Sequence, residues 1–222
     1  MGTRGLFGLR KNNKDKTMYN HFDSYPSCLD EEMVEYVKNH SKEEMTVLYD
    51  KLIMVDEEFN TSQFTEEQKE KYKEFMKKND FFSHTIDGAK TAENITMYCF
   101  LHEFQGRLYK YDEYPEIDLM IDNHNFIKNS LFCEWAYIIN LDTNKLEIWE
   151  GFQEKPQENN RYGIEKDNGF YPCALVKEID IEKIKLEDFS SGTGLRLPNM
   201  VVTYPCSFAS CTSLSRNTLI PG

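Results

Sequence analysis

No stretch of the 222 residues approaches the ~20 consecutive apolar side chains that a membrane-spanning helix needs, so no membrane association is expected. The opening Met1-Gly2-Thr3-Arg4-Gly5-Leu6-Phe7 has neither a long apolar stretch nor a small-residue cleavage site, and it carries Leu6 where a myristoylation signal wants Ser or Thr. The expectation is an unexported, cytoplasmic chain. Cysteine is sparse and scattered: Cys28, Cys99, Cys133, Cys173, Cys206 and Cys211 form no CxxC pair and meet no His at zinc-finger spacing, which fits a reduced compartment. Missing too are GxxxxGK, GxGxxG and GxSxG, so nucleotide binding and serine-hydrolase chemistry lose their usual warrants, and no cofactor is expected. Positive charge is in deficit, with Lys+Arg 26 against Asp+Glu 38 and a formal charge of -12. That balance repels a phosphate backbone, and nucleic acid is not an expected partner.

What is present suffices for a core: 40% hydrophobic and 14% aromatic residues, despite a mean hydropathy of -0.65. Gly5 to Leu9, a turn over Lys11 to Asp15, and Lys16 to Tyr19 read as a β-hairpin. A helix with Asp30 as N-cap follows, then one opened by the capping box Ser41-x-x-Glu44 and running through Val55, then a third from Thr65-x-x-Gln68 to Lys78. Further helices are expected over Ala92 to Phe104 and Ile117 to Leu131, with Leu108 to Pro115 as a surface loop between them. Glu134 to Leu141, the turn Asp142-Thr143-Asn144, and Lys145 to Glu150 form the clearest hairpin, and Pro172 to Ile181 a further strand. The fold class expected is α+β: a mostly antiparallel sheet built from two hairpins and a further strand, covered by helices.

Composition changes at Ser190. From there to Gly222 there is no Asp, Glu or Lys, and Ser, Thr and Pro are frequent. The expected organisation is a single domain over 1–189 and a peripheral tail over 190–222, either a flexible extension or sequence of different history.

The densest group of reactive side chains is Asn20, His21, Asp23 and Ser24 at the end of the first hairpin. On an extended strand His21 and Asp23 share a face, where a carboxylate can fix the imidazole tautomer. Gly5 and Gly8 remove bulk from the facing strand and let something approach its backbone. The opening Met1 to Gly8 and the segment Tyr19-Asn20-His21-Phe22-Asp23-Ser24-Tyr25-Pro26 resemble a family of uncharacterised proteins from phages, large viruses and bacteria. The likeness extends over roughly Met1 to Phe189, although Cys28-Leu29-Asp30 stands where that family continues with Gly-Leu-Gly. It implies a viral type of origin, hence a host cytoplasm, and no established activity.

A second resemblance is to N-terminal-nucleophile hydrolases, with Thr3 corresponding to the nucleophile and Asn20 and Asp23 to supporting polar groups. That chemistry requires the free α-amine of the nucleophile, so Met1 and Gly2 would have to be removed. The functional expectation is therefore a ligand or catalytic site at the N-terminal hairpin, comprising Thr3, Asn20, His21 and Asp23 and acting on a small molecule, with amide hydrolysis as its chemistry. The alternative is a non-enzymatic acidic protein whose Glu31-Glu32, Glu43-Glu44, Asp56-Glu57-Glu58 and Glu66-Glu67 meet a basic host factor. Asp118-x-x-x-Asp122-x-His124 would suit a divalent cation if one helical turn separated the carboxylates, but such pairs usually lie on solvated helix faces, and no metal is expected.

Overall fold

A computed structural model describes residues 3–56, 64–78 and 101–185. Its first element is a hairpin, β1 (Gly5–Lys11) and β2 (Lys14–Asn20), joined by two residues rather than five. Asn12 and Asn13 both take positive φ, 51° and 60°, which gives a turn twisted to match the flanking strands. The second hairpin, β5 (Trp135–Asn140) and β6 (Lys145–Glu150), pairs with β7 (Ala174–Asp180). Asp142 in its turn accepts from the backbone N–H groups of Asn12 and Asn13 at 2.8 and 3.0 Å, tying the two hairpin tips together.

The strand order is β2-β1-β5-β6-β7, with β1 and β5 parallel and every other pair antiparallel. The fold is thus α+β with a mostly antiparallel sheet. One face bears Leu6, Ala136 and Trp149 in register with Leu175, and these pack with Ile127, Cys133, Ile138 and Cys173 into an apolar cluster. Helices approach the other face. Helix α1 (Pro26–Asn39) and α2 (Lys42–Lys51) follow β2, and the Tyr49 hydroxyl of α2 reaches the carbonyls of Lys11 and Lys14. Helix α3 (Glu66–Lys78) opens on the reciprocal bonds of Thr65 and Gln68, as the sequence predicts.

Several expectations are corrected. Helix α1 starts four residues before Asp30, because Pro26 with its fixed φ occupies the first turn. Helix α2 keeps its capping box but stops at Lys51, and Ile53–Val55 forms β3, pairing in parallel with β4 (Leu119–Ile121). The Ile117 to Leu131 helix is instead β4 followed by a 3₁₀ turn over His124–Lys128. Leu119, Met120 and Ile121 are all buried, and a short strand covered on both faces has the same apolar run as a buried helix. Leu108 to Pro115 is no surface loop: Lys110–Glu113 is a one-turn helix, with Leu108 and Tyr111 buried and the Tyr111 hydroxyl donating to Leu119 O at 2.9 Å. Most of the Ala92 to Phe104 expectation and the whole 190–222 tail lie outside the described residues. Among those residues no helix is long and apolar enough to cross a membrane.

Candidate functional site

The end of the N-terminal hairpin is built mainly from structural bonds. Strand β2 ends at Asn20, and Asp23 takes a positive φ of 52°, so the chain turns before Asp23 can share a strand face with His21. Asp23 is exposed and makes no hydrogen bond to the described residues. Ser24, by contrast, is buried: its N–H donates to Thr3 O at 3.1 Å, its Oγ accepts from Asn20 Nδ2 at 2.9 Å, and its carbonyl accepts from the Tyr137 hydroxyl at 3.0 Å. Thr3 is 2% exposed. Thr3 and Asn20 therefore converge on Ser24, holding the start of β1 against the exit of β2. His21 stays at the surface, sharing a 2.8 Å hydrogen bond between its Nδ1 and the Tyr19 hydroxyl.

The glycines expected to admit a ligand are filled by the protein itself. A Cβ on Gly8 would stand 2.1 Å from Lys16 O, and one on Gly5 would stand 2.4 Å from Trp135 O. Both glycines let neighbouring strands approach, and neither opens a cavity.

Tyr19 leads to the cleft that does open, of about 570 Å³. Four segments far apart in sequence supply its wall: Tyr19 from β2, Asp56 after β3, the run from Asp122 after β4 through His124 and Phe126 in the 3₁₀ turn, and Asp167 from the excursion between β6 and β7. They meet because Asn123 clasps the sheet edge. Its N–H donates to Thr17 O at 3.0 Å, and its side-chain oxygen accepts from Tyr19 N–H at 2.9 Å. These bonds also cover part of an edge that would otherwise offer unpaired groups.

In that wall, Asp122 grips His124. The imidazole Nδ1 lies 2.7 and 2.8 Å from the two carboxylate oxygens, and the backbone N–H of His124 donates to one of them at 3.0 Å. A carboxylate accepts only, so Nδ1 carries a proton, and in the tautomer this selects for the neutral ring Nε2 is the acceptor. Asp118, grouped with these two in the sequence, is engaged elsewhere: it accepts from the Tyr72 hydroxyl and from Lys71 at 3.2 Å. Asp118 and Asp122 flank a strand instead of a helical turn, and among the described residues no three His, Cys, Asp or Glu side chains gather as metal ligands.

A second polar cluster sits on the sheet face that carries the apolar cluster. Glu147, 2% exposed, accepts from Asn140 Nδ2 at 2.7 Å, Trp149 Nε1 at 3.1 Å and Arg161 at 2.8 and 2.5 Å. Asp15 accepts from Arg10 at 2.8 Å and from the Tyr162 hydroxyl at 3.0 Å. Burial alone would raise the Glu147 pKa, but Arg161, Asn140 and Trp149 together hold it below the usual carboxylate range. Two arginines balance two carboxylates here, and each charge has its partner, which marks a structural network. Sequence reading missed it because Arg161 lies in an irregular segment without periodicity.

Two members of the acidic pairs on the helices have local tasks. Glu44 closes the capping box of α2 with Ser41, and Glu66 binds Lys69 at 2.6 Å. No protein family, curated protein or solved structure matches the chain.

Proposed function

We propose that the cleft beside the N-terminal hairpin hydrolyses a small amide or ester, with His124 as general base and Asp122 as the residue that positions it. The observation that carries this reading is the two-oxygen grip of Asp122 on His124 Nδ1, which leaves Nε2 available at the wall of a cleft of ligand size. Among the described residues no Ser, Thr or Cys lines the cleft, which favours water as the nucleophile. Nε2 takes a proton as water adds to the carbonyl carbon, and returns it to the leaving nitrogen or oxygen as that bond breaks.

Relative to the sequence expectation, the reacting group moves from Thr3 to His124, with Tyr19 in the cleft wall and His21 bonded to the Tyr19 hydroxyl. A reaction at Thr3 has less support, since Thr3 is buried and its carbonyl is taken by Ser24. The alternative of an acidic surface that meets a basic protein rests on charge alone.

The test is turnover of a panel of 4-nitroanilides and 4-nitrophenyl esters by the purified protein. His124→Gln should abolish turnover, and Asp122→Asn should lower kcat about a hundredfold or more while KM changes little. Equal turnover by His124→Gln, or none by the native protein across the panel, would remove the reading.

A further inference from the structure

The cleft wall is one-sided in its chemistry. Among the described residues its charged members are Asp56, Asp122 and Asp167, and no Lys or Arg lines it. Asp122 is occupied by His124, but the side chains of Asp56 and Asp167 have no hydrogen-bond or ion-pair partner among the described residues. On the same wall the Asn129 side-chain oxygen is buried without a hydrogen-bond partner, an acceptor left unmatched where buried acceptors are normally paired. Tyr19 and Phe126 stand edge to face with centroids 5.2 Å apart, giving the cleft an aromatic wall. Unpaired carboxylates, an unpaired carbonyl-type oxygen and aromatic rings share one complement: a compact cation that donates several hydrogen bonds and lies against a π face.

We infer that the ligand of this cleft carries a guanidinium or primary ammonium group, held by Asp56 and Asp167 against Tyr19 and Phe126. The inference rests on the reading of this cleft as the ligand site, but it is independent of the chemistry assigned to His124. The net charge of -12 acts in the same direction at long range, raising the encounter rate of a cation and repelling an anion.

Three probes of one shape isolate the charge: butylguanidinium, neutral butylurea and anionic pentanoate, each titrated into ¹⁵N-labelled full-length protein. Butylguanidinium should bind, with amide shifts centred on Tyr19, Asn123, His124 and Asp167, and its affinity should fall as salt is raised. Butylurea should bind about tenfold or more weakly, and pentanoate not at all. The double variant Asp56→Asn/Asp167→Asn should lose about tenfold or more of the butylguanidinium affinity at an unchanged unfolding midpoint. Equal binding of butylurea, absence of butylguanidinium binding at millimolar concentration, or an unaffected double variant would overturn the inference. Cation binding with no turnover by any substrate would remove the hydrolytic reading and leave this one standing. Turnover of neutral esters without cation binding would do the reverse.

Discussion

At the scale of single residues, Glu147 shows how a buried charge is kept. Its carboxylate is matched by Arg161, Asn140 and Trp149, so truncation leaves a guanidinium, an amide and an indole N–H facing an empty site. Glu147→Ala should therefore destabilise the protein by about 3 to 5 kcal/mol in chemical denaturation. Because the folded pKa of Glu147 is held below its unfolded value, its contribution is present above the ordinary glutamate range near ~4.3 and is lost as pH falls through the folded value. The stability difference between the native protein and Glu147→Gln should accordingly shrink below about pH 4. Burial raises Glu134 and Glu150 and acts in the opposite sense, which is why the difference between the two proteins is the quantity to measure. A difference independent of pH would show that the charge of Glu147 is not what the network holds. Little of this was legible beforehand: Glu147 reads as one polar residue in an alternating strand, and Arg161 lies 14 residues further on with nothing to pair them.

At the scale of elements, legibility follows the length over which a pattern repeats and the presence of local caps. Strands β5 and β6 carry period-two alternation with a turn residue, Asn144, at positive φ, and both lie where the sequence places them. Helices α2 and α3 begin where their capping boxes say, since those bonds are made within one turn and owe nothing to the rest of the chain. Strands β3 and β4, three residues each, were hidden, because their pairing is set by tertiary contact. The centre of the sheet gives a sharp test. Ile138 is fully buried between β1 and β6 and belongs to the apolar cluster. Ile138→Asp should cost about 4 kcal/mol or more, seen as insolubility or a collapsed denaturation midpoint. A soluble variant of native stability would mean that β5 is not where the sheet has its core.

At the scale of the whole molecule, the cleft is a product of topology, and for that reason only fragments of it could be read from sequence. Asp122 and His124 stand two residues apart, and the sequence groups them with Asp118 only as a cation motif on a helix, while Tyr19, Asp56 and Asp167 join them only after the sheet edge, the β3–β4 ribbon and the β6–β7 excursion have come together. The excursion is the least regular of these contributors. Its fixed points are Arg161 on Glu147, the Tyr162 hydroxyl on Asp15, Asn160 Nδ2 on Cys173 O at 2.9 Å, and the Gln157 side chain on Leu175. Arg161 also lies over the rings of Trp149 and Tyr162, at 4.5 and 4.9 Å from their centroids, so it fastens the segment by charge and by stacking together. Removing it should release the excursion before the sheet, since the ladders of β1, β5 and β6 do not depend on it. In Arg161→Ala, hydrogen exchange should accelerate about tenfold or more at Gly163, Asp167 and Phe170, while the amides of Leu9 and Ile139 keep their protection. Asp167 travels with the same segment, so affinity of the cleft for butylguanidinium should fall in this variant although Arg161 does not line it. Uniform acceleration across sheet and excursion would instead show one cooperative unit, with Arg161 serving global stability rather than the placement of Asp167.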